Sequence, residues 1–270
     1  MLLDHLLLCA AAFVAGAINS VAGGGTLITF PALVSVLGST PLNQVIANAT
    51  NTVALCPGSA TGAWAYRHEL GEARVWMAWL LAPSLVGGIT GAVILILAPA
   101  KMFALLVPWL ILLATLLFLF QPAIARWTGI GRPHPAPSRR RLAATLVFQF
   151  LVALYGGYFG AGIGILMLSA LAMMGMSDIH QMNALKTVLA TVINGIAVVV
   201  FIGRDLFAST AAEHTVDWQY AIPMIVAGMI GGYASARIAR SLNRNLVRRI
   251  VVAIGFCLAA YYFWQNWGKA

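Results

Sequence analysis

The sequence predicts an all-α fold: a polytopic membrane protein of about ten helical segments, arranged as two five-segment inverted repeats with glycine-broken helices. The composition is 61% hydrophobic and only 9% charged, whereas an ordinary globular domain contains about 25% charged residues. Long apolar runs recur along the whole chain, where a β-barrel would show short segments of alternating hydrophobicity. Similar glycine-rich and polar stretches occur in both halves, which indicates an internal duplication.

The apolar runs define the predicted helices. They cover 3–22, 26–38, 42–65, 75–98 and 102–121 in the first half, and 142–159, 163–175, 179–202, 218–236 and 247–267 in the second. No Lys or Arg precedes the first run, so it is expected to be a retained span rather than a signal peptide. Segments 26–38 and 163–175 are short for a full span of about 20 residues. Each is therefore either a tilted span or a half-helix that re-enters the membrane.

Basic loops divide the chain and orient it. The arginines are concentrated in two places: Arg126, Arg132, Arg139, Arg140 and Arg141, and then Arg237, Arg240, Arg244, Arg248 and Arg249. The positive-inside rule puts both loops on the cytoplasmic side, where they also contact anionic lipid, so no nucleic-acid partner is expected. The predicted organisation is an N-terminal transmembrane repeat at 1–121, a cytoplasmic basic linker at 122–141 and a C-terminal transmembrane repeat at 142–270. Five segments per repeat give the repeats opposite orientations, as in many secondary transporters, and leave both termini extracytoplasmic.

Two glycine clusters interrupt the apolar runs at matching places. AGAINSVAGGGTLITFPAL (15–33) is similar to YGGYFGAGIGILMLSAL (155–171), with Gly25 matching Gly164. Each glycine costs a helix about 1 kcal/mol relative to alanine, so both clusters predict helix breaks. Breaks at membrane depth are tolerated where they line a cavity. The alternative is close helix packing through small residues.

Helices that restart after each break, near Thr26 and Ile165, would direct partial positive charge and unpaired N–H groups inward. Two such helix ends facing each other predict an anion site near the middle of the membrane.

Lys186 lies deep in a predicted span. If that helix starts near Asp178, Lys186 is about 12 Å below its entry point, in a hydrocarbon core about 30 Å thick. A cation near the midplane costs about 2.5–3.5 kcal/mol, so it should face protein, water or an anion. The polar residues of this helix share one face: Asn183, Lys186, Thr187 and Asn194. This stripe predicts the wall of an anion pathway; the alternatives are snorkelling to the surface or a structural pairing.

The first half repeats this stripe without the charge. ANATNTV (47–53) matches MNALKTV (182–188), which puts Asn51 opposite Lys186. The remaining polar residues of the stripe follow the same spacing: Asn48, Thr52 and Ser59.

The sequence does not contain the residue patterns that ion pumps, cation transporters and enzymes require. The seven acidic residues lie in loops or near segment ends: Asp4, Glu69, Glu72, Asp178, Asp205, Glu213 and Asp217. No carboxylate lies mid-span, which disfavours a proton pump or a cation transporter. There is no Ser/His pair, H-E-x-x-H or P-loop, so the sequence predicts neither an enzyme nor a cofactor. The three cysteines lack metal-ligand spacing and are interpreted as packing residues.

Four stretches carry a family resemblance: VAGGGTLITFPAL, ANATNTVALCPGSATGAWAYRHEL, YGGYFGAGIGILMLSAL and MNALKTVLATVINGIAVVVF. They are similar to the sulfite exporter TauE/SafE family, also called the toluene-sulfonate uptake permease family, and the similarity covers essentially the whole chain. The resemblance implies a duplicated helical transporter of small sulfur oxyanions such as sulfite, sulfonates and sulfoacetate. It implies a binding region at the helix breaks and the polar helices that follow them: Asn19, Ser20, Gly23, Gly24, Gly25, Thr26, Asn48, Thr50, Asn51, Gly160, Gly162, Gly164, Asn183, Lys186, Thr187 and Asn194.

The leading hypothesis is a multi-pass secondary transporter that moves a small sulfur-containing anion across the inner membrane by alternating access. In this hypothesis Lys186 supplies charge, while helix N-termini and asparagine amides supply hydrogen-bond donors. A passive anion channel and a non-transporting structural membrane subunit stay open as alternatives. A proton or a sodium ion is an open choice for coupling, as are the direction of transport and the oligomeric state.

Overall fold

Helices make up the fold of the computed structural model, which describes residues 1–21, 24–128, 138–208, 214–238 and 244–267. Within these ranges the α-helices are α1 (Leu2–Val21), α2 (Thr26–Leu37), α3 (Pro41–Ala65), α4 (Arg74–Leu97), α5 (Ala100–Trp127), α6 (Arg139–Tyr158), α7 (Ile163–Met173), α8 (Ile179–Leu206), α9 (Trp218–Ile238) and α10 (Arg244–Trp267). Two single-turn 3-10 helices, Arg67–Glu69 and Gly71–Ala73, connect α3 to α4. The described residues contain no strand. The predicted all-α fold and its ten segments are confirmed.

The two helices that flank the predicted linker extend into its sequence. The sequence placed it at 122–141, but α5 continues to Trp127 and α6 begins at Arg139. Ile124 packs against the main apolar core, which keeps the end of α5 helical. At the other end, the Ser138 hydroxyl caps α6 by accepting a hydrogen bond from the Arg141 amide at 3.3 Å. Residues 129–137 lie outside the described ranges.

Helix lengths agree with a membrane protein. Six helices among the described residues are long and apolar enough to cross a membrane: α1, α4, α5, α6, α8 and α10. The short helices α2 and α7 contain 12 and 11 residues, which is only about 16–18 Å of helix. They cannot cross a hydrocarbon core of about 30 Å by themselves. Their lengths therefore favour the half-helix interpretation over the tilted span.

Short polar residues start the two long helices that carry the polar stripes. The Thr40 hydroxyl accepts a hydrogen bond from the Asn43 amide at 3.2 Å, and Pro41 occupies the first position of α3. The Asp178 carboxylate accepts from the His180 amide at 2.8 Å at the start of α8. These caps fix where each helix begins, and hence how far along it each polar residue lies.

The packing of the helices interleaves the two halves of the sequence. α1 packs along α9 and α4 packs along α6, while α3 contacts α9 and α8 contacts α4. If α1–α5 are matched in order with α6–α10, each of these contacts has its counterpart in the other half. A duplicated chain would produce this correspondence. The duplication, and the inverted orientation of its repeats, stay predictions.

Glycines allow the two closest helix pairs to form. A β-carbon on Gly16 in α1 would clash with the Gly228 carbonyl oxygen in α9. A β-carbon on Gly157 in α6 would likewise clash with the Gly88 carbonyl oxygen in α4. The backbones therefore touch, as small residues permit in membrane helices.

We call α1, α2, α3 and α9 the first bundle, and α4, α6, α7 and α8 the second bundle. Each takes helices from both halves of the sequence, so the predicted repeats at 1–121 and 142–270 are not separate packing units. The second bundle has an apolar core of its own, built around Leu80, Val152, Met167 and Leu185. α5 and α10 pack against each other.

Candidate functional site

Glycine conformation makes the second helix break, between α6 and α7. Gly160 and Gly162 have φ values of +81° and +78°, a left-handed conformation that other residues adopt only with strain. The Tyr155 hydroxyl donates a hydrogen bond to the Ala161 carbonyl at 2.8 Å, which ties the break to α6. α7 then begins at Ile163.

A side chain holds the first break, between α1 and α2. The Asn19 Oδ1 accepts hydrogen bonds from the Gly24 and Gly25 amides, at 2.9 and 2.8 Å. These two amides are therefore occupied, which corrects the expectation that the N–H groups at this break face inward unpaired. Because Oδ1 takes both amides, Nδ2 is the polar atom that Asn19 has left to offer a ligand.

Close packing also contributes at this break, as the small-residue alternative predicted. A β-carbon on Gly24 would clash with the Phe118 ring, and one on Gly25 would lie 2.6 Å from the Ala15 carbonyl oxygen.

Lys186 lies at the second break and does not snorkel. Its side chain is only 5% exposed. A β-carbon placed on Gly164 would lie 3.2 Å from Lys186 Cδ and 3.8 Å from Nζ. The ammonium group is thus next to the first turn of α7, where the helix dipole is also positive.

Asn51 lies at the corresponding place in the first half. Its Nδ2 donates to the Thr26 hydroxyl at 3.3 Å, and its Oδ1 accepts a short hydrogen bond from the Thr29 hydroxyl. Asn51 therefore contacts the first turn of α2, as Lys186 contacts the first turn of α7.

A cavity of about 60 Å³ connects the two breaks. Since one water requires roughly 10–15 Å³, the space is large enough for a small ligand or a few waters. Its polar lining comes from both bundles: Asn19, Thr26, Asn51, Thr52, Ser59, Lys186, Thr187 and Asn194. Leu55, Phe159, Ile163 and Ala190 form its apolar wall. Lys186 is the one charged side chain among the described lining residues.

Most of the predicted site residues meet at this cavity. It is lined by Asn19, Gly24, Thr26, Asn51, Gly160, Gly164, Lys186, Thr187 and Asn194. Gly25 and Gly162 shape the adjoining backbone of the breaks. Gly23 and the side chain of Ser20 lie outside the described part of the chain.

Three predicted residues do not line the cavity. Asn48 Nδ2 donates to the Tyr158 carbonyl at 2.9 Å, and the Thr50 hydroxyl accepts from the Asp217 amide at 2.9 Å. Asn183 Nδ2 donates to the Ile179 carbonyl in its own helix, also at 2.9 Å. These side chains connect or stabilise helices.

Thr52 and Ser59 belong to the polar stripe that the sequence predicts on this helix, and both line the cavity although the predicted binding region did not include them. The prediction omitted Leu55, Gly58 and Gly62, which lie on the same face of α3. Extending the face of Asn51 to its non-polar residues would have found them. Phe159, Ile163 and Ala190 gave no signal, because apolar residues in an apolar span are uninformative.

Three of the four lining hydroxyls donate to their own helices, while that of Thr26 accepts a hydrogen bond from Asn51 Nδ2. Thr52, Ser59 and Thr187 donate to the carbonyls of Asn48, Leu55 and Asn183, at 2.9, 3.2 and 2.7 Å. In this arrangement the side-chain amides, the ammonium group and the Thr26 hydroxyl are the donors that can serve a ligand.

Comparison with known proteins identifies the family. The sequence pattern of the family described as sulfite exporter TauE/SafE matches residues 8–262. The probable membrane transporter protein ORF9 of Sinorhizobium sp is 26% identical over 265 residues, covering 94% of this chain and 91% of the relative. The probable membrane transporter protein YfcA of Escherichia coli is 26% identical over 258 residues, covering 96% and 89%. A probable membrane transporter protein of Xylella fastidiosa is 28% identical over 264 residues, covering 94% and 92%. No solved structure matches the chain significantly.

The family pattern covers nearly the whole chain, and these relatives match it almost from end to end. Their names describe membrane transporters, which agrees with the six apolar helices of spanning length among the described residues. The chain therefore belongs to the sulfite exporter TauE/SafE family and is a multi-pass membrane transporter.

Proposed function

We propose that this chain is a secondary transporter of a small sulfur-containing anion, of the sulfite, sulfonate or sulfoacetate type. The anion binds in the cavity between the two helix breaks, and alternating access moves it across the membrane. The proposal depends above all on the buried side chain of Lys186, which lies against Gly164 in the first turn of α7.

Electrostatics supports an anion as the ligand. A helix N-terminus carries about half a positive charge and is stabilised by nearby anions. At the start of α7 the protein instead places an ammonium group, so two positive centres lie side by side in a low-dielectric region. Both centres attract negative charge, so together they favour an anion that lies between them.

Amide donors complete the proposed binding site. Asn19 Nδ2 is available because Oδ1 is fixed by the Gly24 and Gly25 amides. Asn194 lines the cavity from α8, with its Oδ1 3.9 Å from the position of a β-carbon on Gly160. Charge-assisted hydrogen bonds of this kind are the strong ones.

The choice of a sulfur oxyanion is supported by the family description, sulfite exporter TauE/SafE. The volume of the cavity and its positively charged lining residue, Lys186, are evidence for a small anion of any kind. The four apolar residues of its wall provide a surface that a short apolar substituent on that anion can contact.

The position of the cavity supports alternating access. α3 belongs to the first bundle and α8 to the second, and the cavity lies between them. Glycine contacts hold α1 to α9 and α4 to α6, so each bundle can move as a unit. A displacement of one bundle against the other would then change which side of the membrane reaches the site.

Counterflow in proteoliposomes tests this function. Vesicles preloaded with unlabelled sulfite or a small alkyl sulfonate should accumulate the labelled anion transiently, because a carrier exchanges both through one site. Chloride and acetate serve as control anions. Uptake driven by an imposed proton or sodium gradient would identify the coupling ion. Steady current with no counterflow would indicate a channel, and no substrate-dependent flux with any sulfur anion would contradict the proposal.

A further inference from the structure

Five aromatic residues form a buried cluster beside the cavity: Phe30, Phe103, Tyr158, Phe159 and Tyr262. We call this cluster the aromatic plug. Each of its residues is at most 8% exposed. Phe30 packs edge-on against Phe159 with ring centroids 5.5 Å apart, and Phe103 packs against Tyr158 at 5.6 Å. Tyr262 lies 6.3 Å from Phe30 and closes the cluster on the side of α10.

The plug and the cavity occupy different levels of the molecule. On α3 the cavity extends from Asn51 to Gly62, along the C-terminal half of the helix. The plug lies between the two breaks and the turn that connects α2 to α3, with Phe30 in the first half of α2 and Phe103 near the start of α5. Gln265, near Tyr262 in α10, donates to the hydroxyl of Ser39 in this turn at 2.7 Å. Phe159 belongs to both regions, since it lines the cavity and packs against Phe30.

Building on the proposed transport function, we infer that the aromatic plug is the gate that closes the substrate cavity on the side of the turn between α2 and α3. In the conformation described here the gate is shut, and the cavity is approached from the other end of α3. Phe103 lies near the start of α5, and the basic residue Arg126 lies in its last turn. The positive-inside rule therefore makes the plug side extracytoplasmic.

The plug crosses the boundary between the moving units of the proposed mechanism. Phe30 belongs to the first bundle, whereas Tyr158 and Phe159 end α6 of the second bundle. A displacement of the bundles that opens the cavity on this side must separate these rings.

Asn48 makes a hydrogen bond across this boundary. It belongs to the first bundle, and its Nδ2 donates to the Tyr158 carbonyl of the second. Its buried Oδ1 has no hydrogen-bond partner among the described residues. A buried acceptor without a partner disfavours the state that contains it. The closed gate is therefore a state that the protein can leave at moderate cost.

Cysteine accessibility tests the gate without any substrate. The reporter is Ala190→Cys, on the apolar wall of the cavity, in a chain whose Cys9, Cys56 and Cys257 are replaced by alanine. The reagent is a charged, membrane-impermeant methanethiosulfonate. Added to intact cells, it reaches the protein from the plug side; added to inside-out vesicles, it reaches the protein from the cytoplasmic side. The reporter should react readily in inside-out vesicles and slowly in intact cells. Phe30→Ala should raise the rate in intact cells about tenfold, because its three ring contacts, with Phe103, Phe159 and Tyr262, are lost.

Phe201→Ala is the matched control, because Phe201 is a fully buried phenylalanine of α8 outside the plug. Phe30→Leu keeps most of the volume without the ring, and it replaces Phe30→Ala if that variant does not fold. The gate is refuted if the folded Phe30 variant reacts no faster than the parent, if Phe201→Ala accelerates labelling equally, or if the parent reporter reacts as fast in intact cells as in inside-out vesicles. Because labelling needs no anion, these outcomes are independent of whether sulfur anions bind. Counterflow that persists with unaltered labelling would refute the gate alone.

Discussion

The side chain of Lys186 runs along Gly164, so that a β-carbon on this glycine would lie 3.2 Å from Cδ and 3.8 Å from the ammonium nitrogen. The absence of a side chain at Gly164 is thus what allows a lysine from α8 to reach the first turn of α7. A positive side chain and a positive helix end are thereby brought together inside the protein.

Replacing Gly164 by alanine tests this contact. A distance of 3.2 Å is tighter than ordinary van der Waals contact, so the lysine stem must shift by a few tenths of an ångström. Anion affinity should fall several-fold, because charge-assisted hydrogen bonds depend strongly on geometry. Isothermal titration with sulfite or a sulfonate measures the loss. Gly195→Ala is the control, because a β-carbon there meets nothing within 4 Å. Equal affinities in the two variants would contradict the proposed role of this contact.

Gly160→Ala tests the backbone of the second break. Its φ of +81° should make alanine unfavourable by about 1–2 kcal/mol. A β-carbon would also lie 3.0 Å from the Gly156 carbonyl oxygen. The melting temperature of the detergent-solubilised protein should therefore fall. Gly203→Ala, in open space within α8, should leave it unchanged or slightly higher. A Gly160→Ala protein as stable as the parent would show that the break does not require this conformation.

Two substitutions of Asn19 distinguish its structural role at the break from its proposed role in binding the anion. Asn19→Ala removes the acceptor of two amides and should destabilise the protein by about 1–3 kcal/mol. Asn19→Asp keeps an acceptor for both amides, next to a favourable helix N-terminus, so stability should be retained. It also replaces the Nδ2 donor by a negative oxygen, so anion binding should be lost. Thermal melting measures the stability of each variant, and titration calorimetry on the same preparations measures its anion affinity.

Asn183→Asp is the control for the Asn19 pair, since it adds the same charge to a half-buried residue that does not line the cavity. Anion binding by Asn19→Asp at parental affinity would mean that Asn19 only holds the break.

Gly157→Ala tests the packing of the second bundle. A β-carbon there would clash with the Gly88 carbonyl oxygen, so α4 and α6 would have to separate. Overpacking of this kind costs about 1–3 kcal/mol. The unfolding midpoint should drop well below that of Gly195→Ala, which changes the same residue type in open space. Similar midpoints for both would argue against close contact of α4 and α6.

The helices could be predicted from the sequence because apolar runs and their polar ends are local signals. The convergence of Lys186 with the glycine breaks was also predictable, since burying a charge in a membrane requires a polar environment. Asn48 and Asn183 show the limit of this reasoning. They share a helix face with Asn51 and Lys186, respectively, but lie about 4.5 Å away along the axis. At that height they contact Tyr158 and Ile179 rather than the cavity.

The interleaving of the halves could not be predicted. Hydrophobic periodicity indicates which face of a helix is covered, but it does not indicate which helix covers it. The glycine clusters raised close helix packing as an alternative, and only the structure identifies α9 as the partner of Gly16 and α4 as the partner of Gly157.

The most direct test of the central claim is anion binding to Lys186→Ala, measured by isothermal titration against the parent protein. Lys101→Ala is the matched control, because Lys101 is an exposed lysine in the first turn of α5. Losing one partner of a buried charge pair costs about 2–5 kcal/mol, so affinity for the sulfur anion should fall at least roughly thirtyfold. The control should bind as the parent does. A folded, monodisperse Lys186→Ala protein with parental affinity would contradict the account.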